Sequence, residues 1–198
     1  MNRRIFFKAI GLAGGAALFA ASNSHALQLY THADKRKWAI LYGSRYGATR
    51  DAGVWISEGM GAIANVFDAR EDPDLSRFDG VIVGSGIYSG KIDTPLEAYL
   101  AKNASRFSTR IKALYIVCGG GETSPRAQDY VAALGKACGA KPQMTKVFSG
   151  RLTIRLLNAE DNKIEEGVAK KRNEPYQDSD RLQRKDCLDF GAAILAKG

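Results

Sequence analysis

Histidine is nearly missing from this chain: 198 residues include two, His25 and His32, both ahead of the first strand-like run. A nucleophile activated by a histidine base therefore has no base in the body of the chain. Cysteine is almost as scarce. Cys118, Cys138 and Cys187 show no C-x-x-C spacing, so neither a zinc site nor a thioredoxin-type pair is indicated and no metal ligand set is expected. Three thiols permit at most one internal disulfide. No apolar run reaches the ~20 residues that a helix needs to cross a bilayer. There is also no low-complexity tract or fixed-period repeat, which excludes solenoids and arrays. Basic residues are scattered rather than clustered, and aromatics do not interleave with them, so nucleic acid is not an expected partner.

What is present is a globular composition, 45% hydrophobic and 25% charged, in a length that suits one core. The N-terminus is a segment apart. Arg3-Arg4-Ile5-Phe6-Phe7-Lys8 precedes a Gly/Ala-rich apolar run, Ala9 to Ala21, and Ser24-His25-Ala26 supplies a small-x-small site. A basic region, a short apolar region and a cleavage site are the parts of a signal peptide, expected over residues 1–26, with a linker over 27–36. The paired arginines resemble the twin-arginine export motif, with Asn2 where Ser or Thr is usual. That route carries folded proteins, so the resemblance implies a periplasmic protein loaded with its cofactor before export. Removing residues 1–26 lowers the formal charge from +8 by three, to +5, which leaves loose attraction to an anionic membrane surface open.

Apolar runs suited to buried parallel strands recur at Trp38–Tyr42, Ala62–Phe67, Gly80–Ser85, Ala113–Cys118 and Met144–Phe148. Helical patterns alternate with them at Ala48–Met60, Thr94–Arg106, Pro125–Cys138 and Asp180–Lys197. Only the crossover Asp68–Phe78, charged and with little apolar period, is expected to have a short helix or none. The alternation predicts an α/β sandwich. The charged stretch Asn158–Asp180 reads as a surface insertion, about residues 155–178, placed to fold over the strand ends.

In an open parallel sheet, ligands bind beyond the carboxyl ends of the strands. Three segments fall there. Ser44-Arg45-Tyr46-Gly47-Ala48-Thr49 joins the first strand to the first helix, where unpaired backbone N–H groups and hydroxyls suit a phosphate. Gly84-Ser85-Gly86-Ile87-Tyr88-Ser89-Gly90 and Cys118-Gly119-Gly120-Gly121-Glu122 follow the third and fourth strands; their glycines let backbone approach a flat ligand, and Tyr88 offers an aromatic face. Each segment taken alone also reads as an ordinary tight turn. Together they describe a flavin mononucleotide (FMN) site.

In this order the motifs resemble the flavodoxin-like domain, over about residues 36–150 and the last helix. The nearer likeness is to menaquinone-dependent protoporphyrinogen oxidases and their flavodoxin-domain relatives, through Ile40–Arg50 and Val83–Tyr88. The resemblance implies a doubly wound five-stranded parallel sheet of order 2-1-3-4-5, over residues 37–198, with helices on both faces. It implies an FMN phosphate on Ser44, Arg45, Gly47, Ala48 and Thr49, with Tyr46, where flavodoxins carry Thr, lying along the ligand. The flavin ring would lie between Gly86–Gly90 and Cys118–Glu122. Haem-precursor oxidation belongs to the cytoplasmic side of the membrane, so that substrate is not carried over to an exported chain.

Rival motifs break. Ser89 stands where a third Rossmann glycine belongs, Gly84–Lys91 misses the Walker spacing by one residue, and Ser124 replaces the Arg of a C-x5-R phosphatase loop. Ile116 breaks a nucleophile elbow at Cys118. The expected function is an exported FMN-dependent oxidoreductase or electron carrier working with a redox protein or a quinone; the alternative is a flavin-free scaffold on the same fold.

Overall fold

Val, Ile and aromatic residues dominate the strand-like runs, and in the computed structural model, which describes residues 36–142 and 144–197, they form one parallel sheet. The expected signal peptide, residues 1–26, and most of the linker lie outside the described residues. The strands are β1 (Trp38–Gly43), β2 (Ala64–Asp68), β3 (Gly80–Tyr88), β5 (Ile111–Cys118) and β6 (Met144–Ser149), ordered β2-β1-β3-β5-β6. Counting parallel strands alone, this is the doubly wound order 2-1-3-4-5. A short β4 (Lys91–Ile92) returns antiparallel on the end of β3. The β3 strand runs three residues further than its apolar run suggests, because Gly86, Ile87 and Tyr88 continue into this hairpin.

Side chains alternate along the strands, and each face has its own core. Ala39, Leu41, Val81, Val83, Leu114 and Ile116 pack on one side, beneath α2 (Thr94–Asn103) and α3 (Ala127–Cys138). Trp38, Ile40, Ile82, Tyr115 and Phe148 pack on the other, against α1 (Ala48–Gly59) and α5 (Arg184–Lys197). The α1 and α5 helices meet backbone to backbone. A Cβ on Gly59 would lie 2.1 Å from the Leu188 carbonyl oxygen, and one on Gly191 would lie 2.1 Å from that of Ile56. The Asp68–Phe78 crossover holds only a single 3-10 turn, Ala69–Glu71.

The charged insertion contains a helix that its apolar pattern does not reveal, α4 (Ala159–Arg172), because its polar residues show almost no apolar face. Its signals lie at its ends. Asn158 caps the first turn by accepting from the Asp161 amide at 2.7 Å, Glu160 and Asp161 stand at the positive end, Lys170-Lys171-Arg172 stand at the negative end, and Asn173 closes it at φ 55°. A two-stranded ribbon, β7 (Arg151–Leu152) with β8 (Ser179–Asp180), joins the two ends of this excursion. Arg151 fastens the ribbon to α1, pairing with Asp51 at 2.7 Å and Asp180 at 2.8 Å. Among the described residues no helix is long and apolar enough to cross a membrane.

Candidate functional site

Ser44 begins the turn after β1 and is buried. Its Oγ accepts from the Gly47 amide at 3.0 Å, and Gly47 takes φ 90°, a left-handed conformation that costs glycine least, to launch α1. The backbone N–H groups of Ala48, Thr49 and Arg50 have no acceptor among the described residues, so α1 presents unpaired donors at its positive end. The turn is held from below. Arg70, paired with Asp68, donates to the Ser44 carbonyl at 3.2 Å, and the buried Tyr115 hydroxyl donates to the Thr49 carbonyl at 3.1 Å. Gly53 and Gly84 leave room for Tyr115: a Cβ on Gly53 would lie 2.8 Å from its hydroxyl, and one on Gly84 would lie 1.9 Å from its ring. Gly84 therefore serves the packing of the core.

The end of β3 behaves differently from an open ring-clasping loop. Ser85 is fully buried; its Oγ donates to the Gly86 carbonyl and accepts from the Asp93 amide at 2.9 Å, while Asp93 caps α2. Gly86 has no Cβ where the Tyr88 ring lies, because one would sit 2.6 Å from its hydroxyl. That hydroxyl accepts from the Arg45 amide at 2.7 Å, so Tyr88 reaches back into the turn after β1. The Arg45 guanidinium stacks 4.5 Å from the Tyr88 ring centre, and Tyr46 meets the same ring edge-on at 5.9 Å. Burial pushes the Tyr88 phenol above its ordinary pKa, opposed by the Arg45 amide, the Ser44 hydroxyl and the Tyr46 amide. Ser89 (φ 51°) and Gly90 (φ 78°) form the left-handed pair that turns the hairpin.

After β5, the Gly150 amide donates to the Cys118 carbonyl at 2.8 Å. A Cβ on Gly119 would meet nothing within 4 Å, whereas one on Gly121 (φ 55°) would run into Ser149. Burial pushes the Cys118 thiol up, against the Gly120 and Gly121 amides. Glu122 pairs with Lys146 at 2.7 Å. All three cysteines are free and buried.

A cavity of about 630 Å³ opens beyond the strand ends, within the ~300–1,000 Å³ of small-molecule sites. Of the sequence-derived candidates, Tyr46, Ala48, Thr49, Gly86, Ile87, Tyr88, Ser89, Gly90, Cys118, Gly119 and Gly120 line it. Ser44, Arg45, Gly47, Ser85, Gly121 and Glu122 do not; they shape or support its walls. The roof comes from α4 and the irregular segment after it, through Asp161, Ile164, Glu165, Val168 and Tyr176, with Arg126 and Arg151 at the sides. The sequence pattern identifies none of these roof and side residues. Asp161 latches the roof to the turn: it accepts from Tyr46 Oη at 2.5 Å and from Arg45 Nη1 at 3.0 Å and 3.2 Å.

These residues suit the phosphate and ring of FMN. Ala48, Thr49 and Arg50 offer unpaired amides for an anion, and Gly119 offers bare backbone at the edge of the cavity for a flat ligand. One feature runs the other way, since the Tyr88 oxygen already uses the Arg45 amide.

A family model described as a flavodoxin domain matches residues 39–179. Comparison with curated proteins returns no match. Among solved structures, oxidised flavodoxin 2 from Bacillus cereus aligns with TM-score 0.50 and 16% identity, over 82% of this chain and 99% of that one. The Flv1 flavodiiron core from Synechocystis sp. PCC6803 aligns with TM-score 0.50 and 15% identity, over 90% of this chain but 40% of its own. A flavoprotein in complex with FMN from Lactobacillus acidophilus NCFM aligns with TM-score 0.42 and 16% identity, over 56% of this chain and 91% of that one. At such identities the likeness is one of fold.

Proposed function

We propose, for a chain that belongs to the flavodoxin domain family, that it binds FMN in the cavity beyond β1, β3 and β5 and exchanges electrons through it. The observation that carries the reading is the first turn of α1, where left-handed Gly47 launches the helix, Ala48 and Thr49 border the cavity, and the amides of Ala48, Thr49 and Arg50 are unclaimed. A bound phosphate monoester there gains hydrogen bonds to a charged acceptor, roughly 1.5–3 kcal/mol each. FMN, when bound, supplies the electron-accepting ring, and the protein tunes its potential through contacts to that ring.

The chain's own residues divide the remaining work. Tyr115 from the core and Arg70 from the surface fix the turn, so its donors stay oriented with no ligand to order them. Gly119 and Gly120 would offer backbone to a bound ring, and the α4 roof, latched by Asp161, covers one side of the cavity. The chain is then an electron carrier or an oxidoreductase delivering electrons to a redox protein or a quinone.

Export by the twin-arginine route to the periplasm belongs to the same proposal and rests on Arg3-Arg4 and the apolar run after them. The nearer kinship with menaquinone-dependent protoporphyrinogen oxidases rests on Ile40–Arg50 and Val83–Tyr88. Stopped-flow mixing of the flavin-loaded protein with quinols, nicotinamides and reduced ferredoxin-like proteins tests the function. Bleaching of the flavin absorbance by at least one donor class is expected; a flavin inert to all of them would contradict it. Cell fractionation of wild type and Arg4→Lys tests the export.

A further inference from the structure

Among the described residues, Tyr88 is the one aromatic lining the cavity whose hydroxyl is spent on the turn after β1 itself. Its oxygen sits 2.7 Å from the Arg45 amide, its ring is clamped between the Arg45 guanidinium and the edge of Tyr46, and Gly86 is shaped to receive it. The turn's donors are therefore divided. Ala48, Thr49 and Arg50 are unclaimed at the helix end, while the strand end is taken by a neutral phenol.

We propose that Tyr88 is a specificity-determining residue that competes with the ligand's phosphate, its hydroxyl holding the Arg45 amide until a phosphate displaces it. This rests on the FMN reading. A phosphate offers three acceptor oxygens, and to use the whole turn it must take the Arg45 amide from Tyr88. The displaced phenol loses a short hydrogen bond and swings the Ser89–Gly90 hairpin that carries it, whose two left-handed residues are already turned tightly. A flavin without the phosphate meets no such competition, because it never reaches for Arg45. Tyr88 thus narrows the affinity gap between FMN and riboflavin.

The test is the affinity of the full chain for FMN and for riboflavin, by quenching of flavin fluorescence, in wild type and Tyr88→Phe. Losing one net hydrogen bond from the competing side strengthens FMN binding about three- to tenfold, while riboflavin binding stays within about twofold. Thermal unfolding of Y88F checks that it is folded. As a second readout in wild type, the Arg45 amide resonance shifts on adding FMN and stays in place on adding riboflavin. FMN that binds equally well or more weakly to folded Y88F, or an Arg45 amide that responds alike to both flavins, overturns the competition and leaves the FMN reading standing. A wild type and Y88F that bind neither flavin overturn the FMN reading and the competition with it.

Discussion

Replacing Asp161 by Ala should unlatch the α4 roof without unfolding the sheet. Asp161 is 7% exposed and accepts from the Tyr46 hydroxyl and twice from the Arg45 guanidinium. The phenol-to-carboxylate bond is a hydrogen bond to a charged group, roughly 1.5–3 kcal/mol. The Arg45 side chain is 36% exposed, so its pairing is discounted to about 0.2–1 kcal/mol. The freed Tyr46 hydroxyl lines an open cavity and can turn to water, so no buried-group penalty is added. The loss is then about 2–4 kcal/mol of roof docking, which raises the open population roughly 30- to 900-fold. Native-state hydrogen exchange reads this directly: amides in the second half of α4 should exchange faster by about that factor in D161A, while those of β1 and β5 keep their rates. The pH dependence has a definite sign. Burial pushes the Asp161 carboxyl up, but the bonds from Tyr46 and Arg45 outweigh it and hold the group below its ordinary value. A depressed folded value means that the latch is fully present above the unfolded value of ~3.9 and is lost as pH falls through the folded one. Roof protection in wild type should therefore hold from neutral pH down to about 4 and fail in stronger acid. Unchanged α4 exchange in D161A at pH 7 would refute the latch.

Other consequences follow from the packing. Gly191→Ala places a Cβ against the Ile56 carbonyl, where no rotamer can relieve it; although Ala favours a helix by about 1 kcal/mol, a net loss of about 1–3 kcal/mol is expected in urea unfolding. A midpoint at or above wild type would show that α1 and α5 do not meet so closely. Tyr115→Phe removes the bond to the Thr49 carbonyl and should cost about 0.5–1.5 kcal/mol, with FMN binding weakened because the turn loses its support; retained stability and affinity would remove Tyr115 from the account. The three cysteines are buried, and burial pushes Cys138 and Cys187 up to about 12. Ellman's reagent at pH 8 should titrate Cys138 and Cys187 only after denaturant is added, and rapid reaction of more than one thiol in the native chain would contradict their burial.

Strand positions and helix placement were legible because buried parallel strands carry dense Val, Ile and aromatic runs, and because caps such as Asp93 before Pro95 mark helix starts, whereas the strand order came only from the resemblance to the flavodoxin-like domain. The turn after β1 was legible for the same reason: glycine and hydroxyls between an apolar run and an amphipathic helix admit few backbone paths. The α4 helix was harder to see. Its evidence lies in the Asn158 cap, the acids in its first turn and the bases in its last, signals that a search for apolar period passes over. Without α4 the roof residues Asp161, Ile164 and Glu165 could not be found. Ser85 and Gly84 carry the opposite lesson. In sequence they look like part of a glycine-rich ligand loop, yet Ser85 braces the hairpin and Gly84 makes room for Tyr115, a partner 31 residues away that only the sheet brings alongside. Nothing in the local pattern around Tyr88 announces that its hydroxyl reaches the Arg45 amide, since that contact also depends on the pairing of β1 with β3.

The central claim is that the turn after β1 and the cavity beside it hold FMN. Flavin released by heat from the purified, folded full chain, then identified and quantified by chromatography before and after incubation with FMN, tests it most directly. FMN approaching one molecule per chain is expected. A colourless, folded protein that takes up no flavin from added FMN would contradict it.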